Sequence, residues 1–278
     1  MHFSFAAITA RQILWTLTFA AQLVLLVVLL GRDRVRRYPW FTASIALFAL
    51  RLLAEVLLAG RMAVLPLQEI FLTLADVGAI VGLLVVVEMA RRAFVGIRPR
   101  PLIIGLAATL AVAGVVLVKW GPWPEWAQLA DKSVIGVLRM MQLLAQKTNT
   151  LADLLTVELG LLVVLFGRRF KGGWSSHTQK IAIGLSTVSM AWLAVQGTWQ
   201  LLAQTVHPQT QQEYEHIMDL GAKLVNANKV VYLAALVWWI VWLWKDEPGT
   251  AAVEPPQQEP VEPAQLAPES DAAEGDAQ

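Results

Sequence analysis

Asp219 and Lys223 stand four residues apart at the start of the last hydrophobic segment of the chain. On a membrane helix this spacing puts a carboxylate beside an amine, which could hold a retinal Schiff base and its counter-ion. A Schiff-base lysine belongs near the middle of the bilayer, whereas about 22 residues separate Lys223 from Lys245 and span roughly 33 Å, a whole hydrocarbon thickness. We therefore expect Lys223 at the membrane surface in an ordinary i,i+4 ion pair. Lys229 lies deeper, but Val225 occupies the place of its counter-ion, so the sequence disfavours a retinal protein.

The four histidines lie between the hydrophobic segments or at their ends, which excludes a haem held by two histidines within the membrane. His207 and His216 could bind a metal with neighbouring carboxylates, but side chains of these types occur by chance in many polar loops. No catalytic or phosphate-binding motif stands in a suitable setting, and the absence of cysteine excludes disulfides and thiolate metal sites. We predict no cofactor and no metal, and we expect that the protein is not an enzyme.

The elements that must position these residues are hydrophobic helices. Hydrophobic residues make up 56% of the 278 residues and charged residues only 15%, which leaves too little polar surface to coat a soluble globule. Seven apolar segments have roughly the length that spans a bilayer. They cover residues 9–30, 39–60, 69–90, 101–119, 149–167, 180–204 and 225–244. The predicted fold class is all-α, a polytopic bundle of seven transmembrane helices within residues 1–245. Six helices are the alternative, because the third, fifth and sixth segments contain polar residues.

Basic residues are concentrated in every second connection, which predicts the orientation of the bundle. They are Arg32, Arg34, Arg36, Arg37, Arg91, Arg92, Arg98, Arg100, Arg168, Arg169, Lys171 and Lys180. The positive-inside rule makes these connections cytoplasmic, the N-terminus external and the C-terminus cytoplasmic. The first apolar segment is longer than that of a cleavable signal peptide, so we expect it to be retained. The prediction is a multi-pass protein of the bacterial cytoplasmic (inner) membrane, with membrane lipids as partners.

Two segments outside the predicted spans also have informative compositions. Residues 120–148 begin with Trp and Pro and continue at a helical period, which predicts an outer amphipathic segment that joins one long helix, Asp131–Phe170. A second long helix is expected from Pro208 into the seventh segment, with a weak point at Gly221. Residues 246–278 hold nine acidic residues and no basic or aromatic one, which predicts a disordered cytoplasmic tail. The alternative to a solvated spacer is that this tail docks on a basic partner or on the protein's own Arg loops.

Polar side chains within the hydrophobic segments are costly in a bilayer and usually face a bundle interior, a partner or water. In the predicted orientation almost all ionisable ones fall in the outer half, whereas inner halves such as residues 77–87 are apolar. Glu88, at the cytoplasmic boundary, is expected to form an ordinary helix-end pair with Arg91 or Arg92. The pattern predicts an outward-facing polar cavity lined by segments two, three, five, six and seven and roofed by residues 120–148. The candidate ligand-binding residues are Arg51, Glu55, Thr73, Asp76, Asp153, Glu158, Gln196, Gln200, Asn226 and Lys229. The alternative is that they pair with one another and hold the helices together.

Three stretches of the chain resemble a known family. They are "RRYPWF" (36–41), "VVEMARRAFVG" (86–96) and "LGLLVVLFGRRFKGGWSSHTQKIAIGL" (159–185). Over most of residues 30–200 the chain is similar to an uncharacterised family of bacterial seven-helix membrane proteins. The resemblance implies a seven-helix layout and brings no established activity. The layout also resembles the membrane input parts of bacterial sensor proteins, although no kinase, cyclase or phosphodiesterase domain follows the last segment here.

The sequence favours a non-enzymatic membrane protein of sensory or partner-binding type. Its outer cavity is expected to bind a small molecule or lipid, and its Arg loops or acidic tail to engage a cytoplasmic protein. The mixture of acidic and basic candidates favours a zwitterionic or cationic ligand. A transporter or channel is the main alternative, although the apolar inner halves offer no polar route to the cytoplasm. A lipid-modifying membrane enzyme is the third possibility, and we expect no nucleic-acid partner.

Overall fold

The structure is a computed structural model that describes residues 10–58, 61–94, 99–120, 123, 133–166, 176–206 and 210–246. In these residues all regular structure is helical, which confirms the predicted all-α class. The seven helices are α1 (Ala10–Gly31), α2 (Pro39–Leu58), α3 (Val64–Ala93), α4 (Pro99–Lys119), α5 (Val134–Phe166), α6 (His177–Thr205) and α7 (Gln211–Trp244).

Six of the helices are long and apolar enough to cross a membrane, namely α1, α2, α3, α5, α6 and α7. The apolar part found for α4, Ala107–Lys119, is shorter. Six such helices suggest a multi-pass membrane protein. The seventh crossing and the orientation of the bundle stay predictions.

The expectation of two unusually long helices is confirmed in the described residues. α5 is one helix of 33 residues and α7 one of 34, so each extends over roughly 50 Å and is longer than a hydrocarbon core. α7 is capped by Thr210, whose Oγ1 accepts from the Glu213 amide at 3.2 Å, while the Glu213 carboxylate accepts from the Thr210 amide at 3.4 Å. This reciprocal capping box satisfies two amides at the start of the helix.

The expected weak point at Gly221 is wrong, because α7 continues through it without a break. Gly221 is buried, and a Cβ at this position would overlap the Trp199 indole of α6. The glycine lets the two helices approach closely. Packing against α6 therefore outweighs the poor helix propensity of glycine, which costs only about 1 kcal/mol relative to alanine.

Six helices form a closed ring in the order α1, α2, α3, α5, α6, α7, and α7 returns to α1. α3 also contacts α6, whereas α4 packs on α5. α1 and α7 run in the same direction, since Gln22 meets Tyr232 and Arg32 meets Trp244. The first and last helices of the chain are therefore parallel neighbours.

The continuous apolar core lies at one end of the ring, the end predicted to be cytoplasmic. It is built from the last turns of α1, α3, α5 and α7 and the segments where α2 and α6 begin. Its fully buried members include Leu25, Leu29, Phe41, Ile45, Met89, Val163, Ile181, Leu236, Trp239 and Leu243. Within the described residues the hydrophobic packing is therefore concentrated opposite the end where the sequence places its polar cavity.

Candidate ligand-binding site

Two polar contacts join α5 to α6. Asp153 Oδ1 accepts a hydrogen bond from Ser189 Oγ at 2.7 Å, and Thr150 Oγ1 lies 3.4 Å from Gln196 Oε1. Thr150 and Asp153 are three residues apart and share one face of α5, while Ser189 and Gln196 are seven apart and share one face of α6. The structure thus brings together two of the predicted ligand-binding residues, Asp153 and Gln196. We call this set the α5–α6 polar pairs.

A close helix approach holds these pairs in place. Gly160 lies on the same face of α5 as Asp153, and a Cβ there would overlap the Ser186 side chain of α6. Without a side chain at Gly160 the two backbones come near enough for the short Asp153 and Ser189 side chains to meet. This small-residue contact is the usual way in which membrane helices pack tightly.

Asp153 has a neutral partner rather than a cationic one in the described part of the chain. No ion pair found there includes Asp153, and its hydrogen bond comes from the Ser189 hydroxyl. A carboxylate has about four acceptor positions, so one hydroxyl leaves further acceptor capacity. The arrangement can receive an N–H or O–H donor from a bound molecule.

A second polar contact joins α7 to α1 at a similar depth. Gln22 Nε2 donates to Tyr232 Oη at 3.1 Å, and Gln22 is only 1% exposed. On α6, Gly184 lies against Trp239 and Trp199 against Gly221 of α7, so this antiparallel register puts Ser189 level with about Tyr232. The α1–α7 and α5–α6 contacts therefore lie at a similar depth in the bundle, on different pairs of helices.

The contribution of α1 to these polar contacts is not among the expectations from sequence. The predicted lining consists of the second, third, fifth, sixth and seventh segments, because the first segment contains no ionisable residue beyond its start. The signal in the sequence is the spacing of Thr18 and Gln22, two polar residues that stand four apart deeper in the segment than Gln12 and Thr16. That spacing places both on one helix face, which the structure buries.

The other predicted residues are distributed around the bundle. Arg51 and Glu55 of α2 and Thr73 of α3 have exposed side chains, and the Thr73 hydroxyl bonds to its own helix at Glu69 O, 2.9 Å away. Part-buried positions are occupied by Asp76, Glu158, Gln200, Asn226 and Lys229. Of the predicted residues, Asp153 and Gln196 make side-chain contacts between α5 and α6, Asp153 with Ser189 and Gln196 with Thr150.

Glu158 lies on a different side of α5 from Asp153. It is about 140 degrees around the helix from Asp153 and roughly 20 degrees from Lys147. Lys147 donates to the Trp120 carbonyl at the end of α4. Glu158 is therefore on the α4 side of α5, where its Oε2 is inaccessible to solvent and has no hydrogen-bond partner within the described residues. It belongs to another surface than the α5–α6 polar pairs.

Glu88 does more than form the expected helix-end pair. Its Oε1 lies 3.6 Å from Arg92 Nη2, which agrees with that expectation, but its Oε2 accepts from the Phe41 amide at 3.0 Å. Phe41 is in the first turn of α2, where amides lack partners within the helix and a negative charge is favourable. Glu88 therefore joins α3 to the start of α2 at the apolar end of the ring.

A buried arginine at the same end joins α1, α6 and α7. Arg34 is 8% exposed, its Nη2 donates to the Lys245 carbonyl at 2.8 Å, and its Nη1 donates to His177 Nδ1. Asp246 lies 3.1 Å from Arg32 and 4.0 Å from Arg34. In the sequence these arginines indicate only the topology, whereas in the structure Arg34 also holds the end of α7 through the Lys245 carbonyl. The rest of the acidic tail, residues 247–278, lies outside the described residues.

The Asp219–Lys223 pair is confirmed as a surface ion pair. The two side chains are 2.8 Å apart and are 58% and 71% exposed, respectively. The loop residue His207, proposed above as a possible metal ligand, lies outside the described residues, and no group of three or more His, Cys, Asp or Glu suited to a metal is found within them.

Comparison with known proteins adds no family to these observations. No protein-family model, no curated protein and no solved structure matches this chain. The resemblance to bacterial seven-helix membrane proteins therefore stays a prediction.

Proposed function

We propose that this chain is a non-enzymatic integral membrane protein of sensory or partner-binding type, in the bacterial inner membrane, with an external N-terminus and seven crossings. In this proposal a small molecule or lipid binds from the outer side between α5, α6 and α7. The observation that carries it is Asp153, a carboxylate at a helix interface whose hydrogen-bond partner is the neutral Ser189 hydroxyl. Ionisable side chains within membrane segments most often mark functional sites.

The chemistry of the site favours a ligand with a cationic or strongly donating group. Asp153 supplies acceptor capacity, and Gln196 adds an amide on the outer side of it. Asn226 and Lys229, part-buried on α7, would act on the polar or anionic part of a zwitterionic ligand. Arg51, Glu55 and Thr73, which are exposed, would contribute at the rim rather than within the site.

The apolar core supports a receptor-like function over transport. Phe41 and Trp239 meet edge to face with ring centroids 5.1 Å apart, and the surrounding aliphatic side chains are buried with them. A channel or alternating-access transporter needs a polar route through this end of the bundle. Output in the proposal passes instead through the cytoplasmic Arg loops or the acidic tail to a separate protein partner.

The test is ligand-dependent thermal unfolding of the purified protein in nanodiscs. Choline, putrescine, arginine and phosphatidylethanolamine would be screened as probes against the wild type, Asp153→Asn and the exposed control Asp219→Asn. A probe that binds one site stabilises the folded protein by about 2.7 kcal/mol at 100 times its Kd, which is easily measured. We expect that one class of probe raises the Tm of the wild type and of Asp219→Asn but not of Asp153→Asn.

Two outcomes would contradict the proposal. Equal stabilisation of Asp153→Asn and the wild type by every active probe would show that Asp153 is not part of the binding site. Uptake of a stabilising probe into proteoliposomes would show that the protein is a transporter.

A further inference from the structure

Three residues of α1 share one inward face. Trp15, Thr18 and Gln22 are spaced i, i+3, i+7, which aligns them along about 10 Å of the helix. Thr18 is 7% exposed, Gln22 is 1% exposed and Trp15 is part-buried. All three lie within a segment long and apolar enough to cross a membrane.

Polar residues of α7 lie at matching heights. Gln22 bonds to Tyr232, and ten residues further along, Arg32 lies over the Trp244 ring at 5.4 Å. Since the helices are parallel, the position one turn before Gln22 is level with the position one turn before Tyr232. These positions are occupied by Thr18 and Asn228. We call Trp15, Thr18, Gln22, Asn228 and Tyr232 the α1–α7 stripe.

The α1–α7 stripe has more hydrogen-bonding capacity than the protein itself satisfies. Trp15 Nε1, Thr18 Oγ1, Gln22 Oε1 and Asn228 Oδ1 are all inaccessible and have no hydrogen-bond partner among the described residues. Each such group carries a large free-energy cost inside a bilayer, where no bulk water can compensate it. Four of them on the facing sides of two adjacent helices point to a shared partner.

We propose that the α1–α7 stripe binds ordered water within the membrane-spanning part of the bundle, so that water bridges α1 to α7. The available groups are of both kinds: the Trp15 N–H donates, the Gln22 and Asn228 amide oxygens accept, and the Thr18 hydroxyl does either. Tyr232 Oη accepts from Gln22 and can donate its own proton to a neighbour. The α1–α7 stripe contains no charged side chain, so it suits a small neutral molecule that both donates and accepts. Buried water typically makes about three hydrogen bonds to such groups.

This site is separate from the ligand site proposed above. It involves α1 and α7, and none of its residues contacts Asp153 in the hydrogen bonds described. The ligand screen and the hydration test can therefore fail independently.

The first test is Thr18→Val, which removes a hydroxyl at nearly constant shape. If water bonds to this hydroxyl, the substitution lowers the Tm in nanodiscs by a few degrees, since a bonded group is lost and its water is left under-coordinated. If the hydroxyl is unpaired, the substitution leaves the Tm unchanged or raises it, and this result would overturn the proposal. The control is Thr16→Val. The Thr16 hydroxyl is exposed and bonds to its own helix at Gln12 O, 2.9 Å away.

The second test detects the water directly by X-ray radiolytic labelling in H₂¹⁸O, read by mass spectrometry. The chain has three tyrosines, which serve as test and controls. Tyr214 is exposed and should label fully, whereas Tyr38 is fully buried with its hydroxyl 3.0 Å from Thr178 and should not label. We expect Tyr232 to be labelled by oxygen from bound water that exchanges slowly with the solvent. The yield of labelled Tyr232 should drop several-fold in Thr18→Val. Labelling of Tyr232 no stronger than that of Tyr38, or equal in the wild type and Thr18→Val, would refute the hydrated site.

Discussion

Gly184 is the position where the closeness of α6 and α7 can be tested by a single methyl group. A Cβ at Gly184 would overlap the Trp239 indole at Nε1 and come within 3.0 Å of Cζ2. The indole cannot move away easily, because Trp239 is 1% exposed and meets the Phe41 ring edge to face. We therefore predict that Gly184→Ala destabilises the bundle.

The magnitude follows from two opposing contributions. Overpacking of a tight core costs about 1 to 3 kcal/mol, and a rigid aromatic neighbour favours the upper part of that range. Replacement of a helical glycine by alanine returns up to about 1 kcal/mol. The net expectation is a loss of about 2 kcal/mol. The matched control is Gly114→Ala in α4, where no described atom beyond the local helix lies within 4 Å of the new Cβ, so stability should stay constant or rise by up to about 1 kcal/mol.

The free energy of unfolding would be measured by titration with sodium dodecyl sulfate in mixed micelles, followed by far-UV circular dichroism. Trp239→Phe removes the ring atoms that the new Cβ meets. The double variant Gly184→Ala/Trp239→Phe should therefore lose less free energy of unfolding than the sum of the losses in the two single variants. If Gly184→Ala is as stable as Gly114→Ala, or if the loss in the double variant equals the sum of the single losses, then α6 and α7 do not approach closely at Gly184.

Two further predictions concern the predicted cytoplasmic end and the orientation of the bundle. Arg34→Gln should lower the free energy of unfolding by about 2 to 3 kcal/mol, because it removes charged hydrogen bonds to Lys245 and His177 in a buried position. The control Arg36→Gln should change the free energy of unfolding by less than about 0.5 kcal/mol, because the Arg36 side chain is 88% exposed. Equal losses in the two variants would show that Arg34 does not fix the end of α7. The chain has no cysteine, so single cysteines at exposed positions report topology without background: in intact cells a membrane-impermeant maleimide should label Gln212→Cys but not Arg36→Cys. The reverse pattern would invert the predicted orientation.

Periodicity and length predicted the helices well because they are properties of a single segment. The long apolar runs and the lack of a breaking residue from 134 to 166 led directly to α5 as one helix. Propensity misjudged Gly221, since the deciding contact is with Trp199 on another helix. Local sequence also gave the Asp219–Lys223 pair, which depends only on four-residue spacing.

The site was harder to predict, because a polar stripe on one helix does not identify the helix that it faces. Asp153 and Gln196 were both identified as candidates, but their shared interface depends on the antiparallel register of α5 and α6. Glu88 shows the same limit, since its bond to the Phe41 amide joins residues 47 apart in the chain. Gln22 needed a partner 210 residues away, which no local pattern contains.

The ring closes only where the first helix meets the last, and this has a consequence for biosynthesis. During translation α1 enters the membrane long before α7 is made. Gln22 therefore lacks its hydrogen-bond partner Tyr232 until the chain is nearly complete. A contact of such long sequence separation is among the slowest to form and among the first to be lost on truncation. Chains that end before Tyr232 would leave a polar seam along α1 open to the lipid, a form that cellular quality control can recognise and degrade.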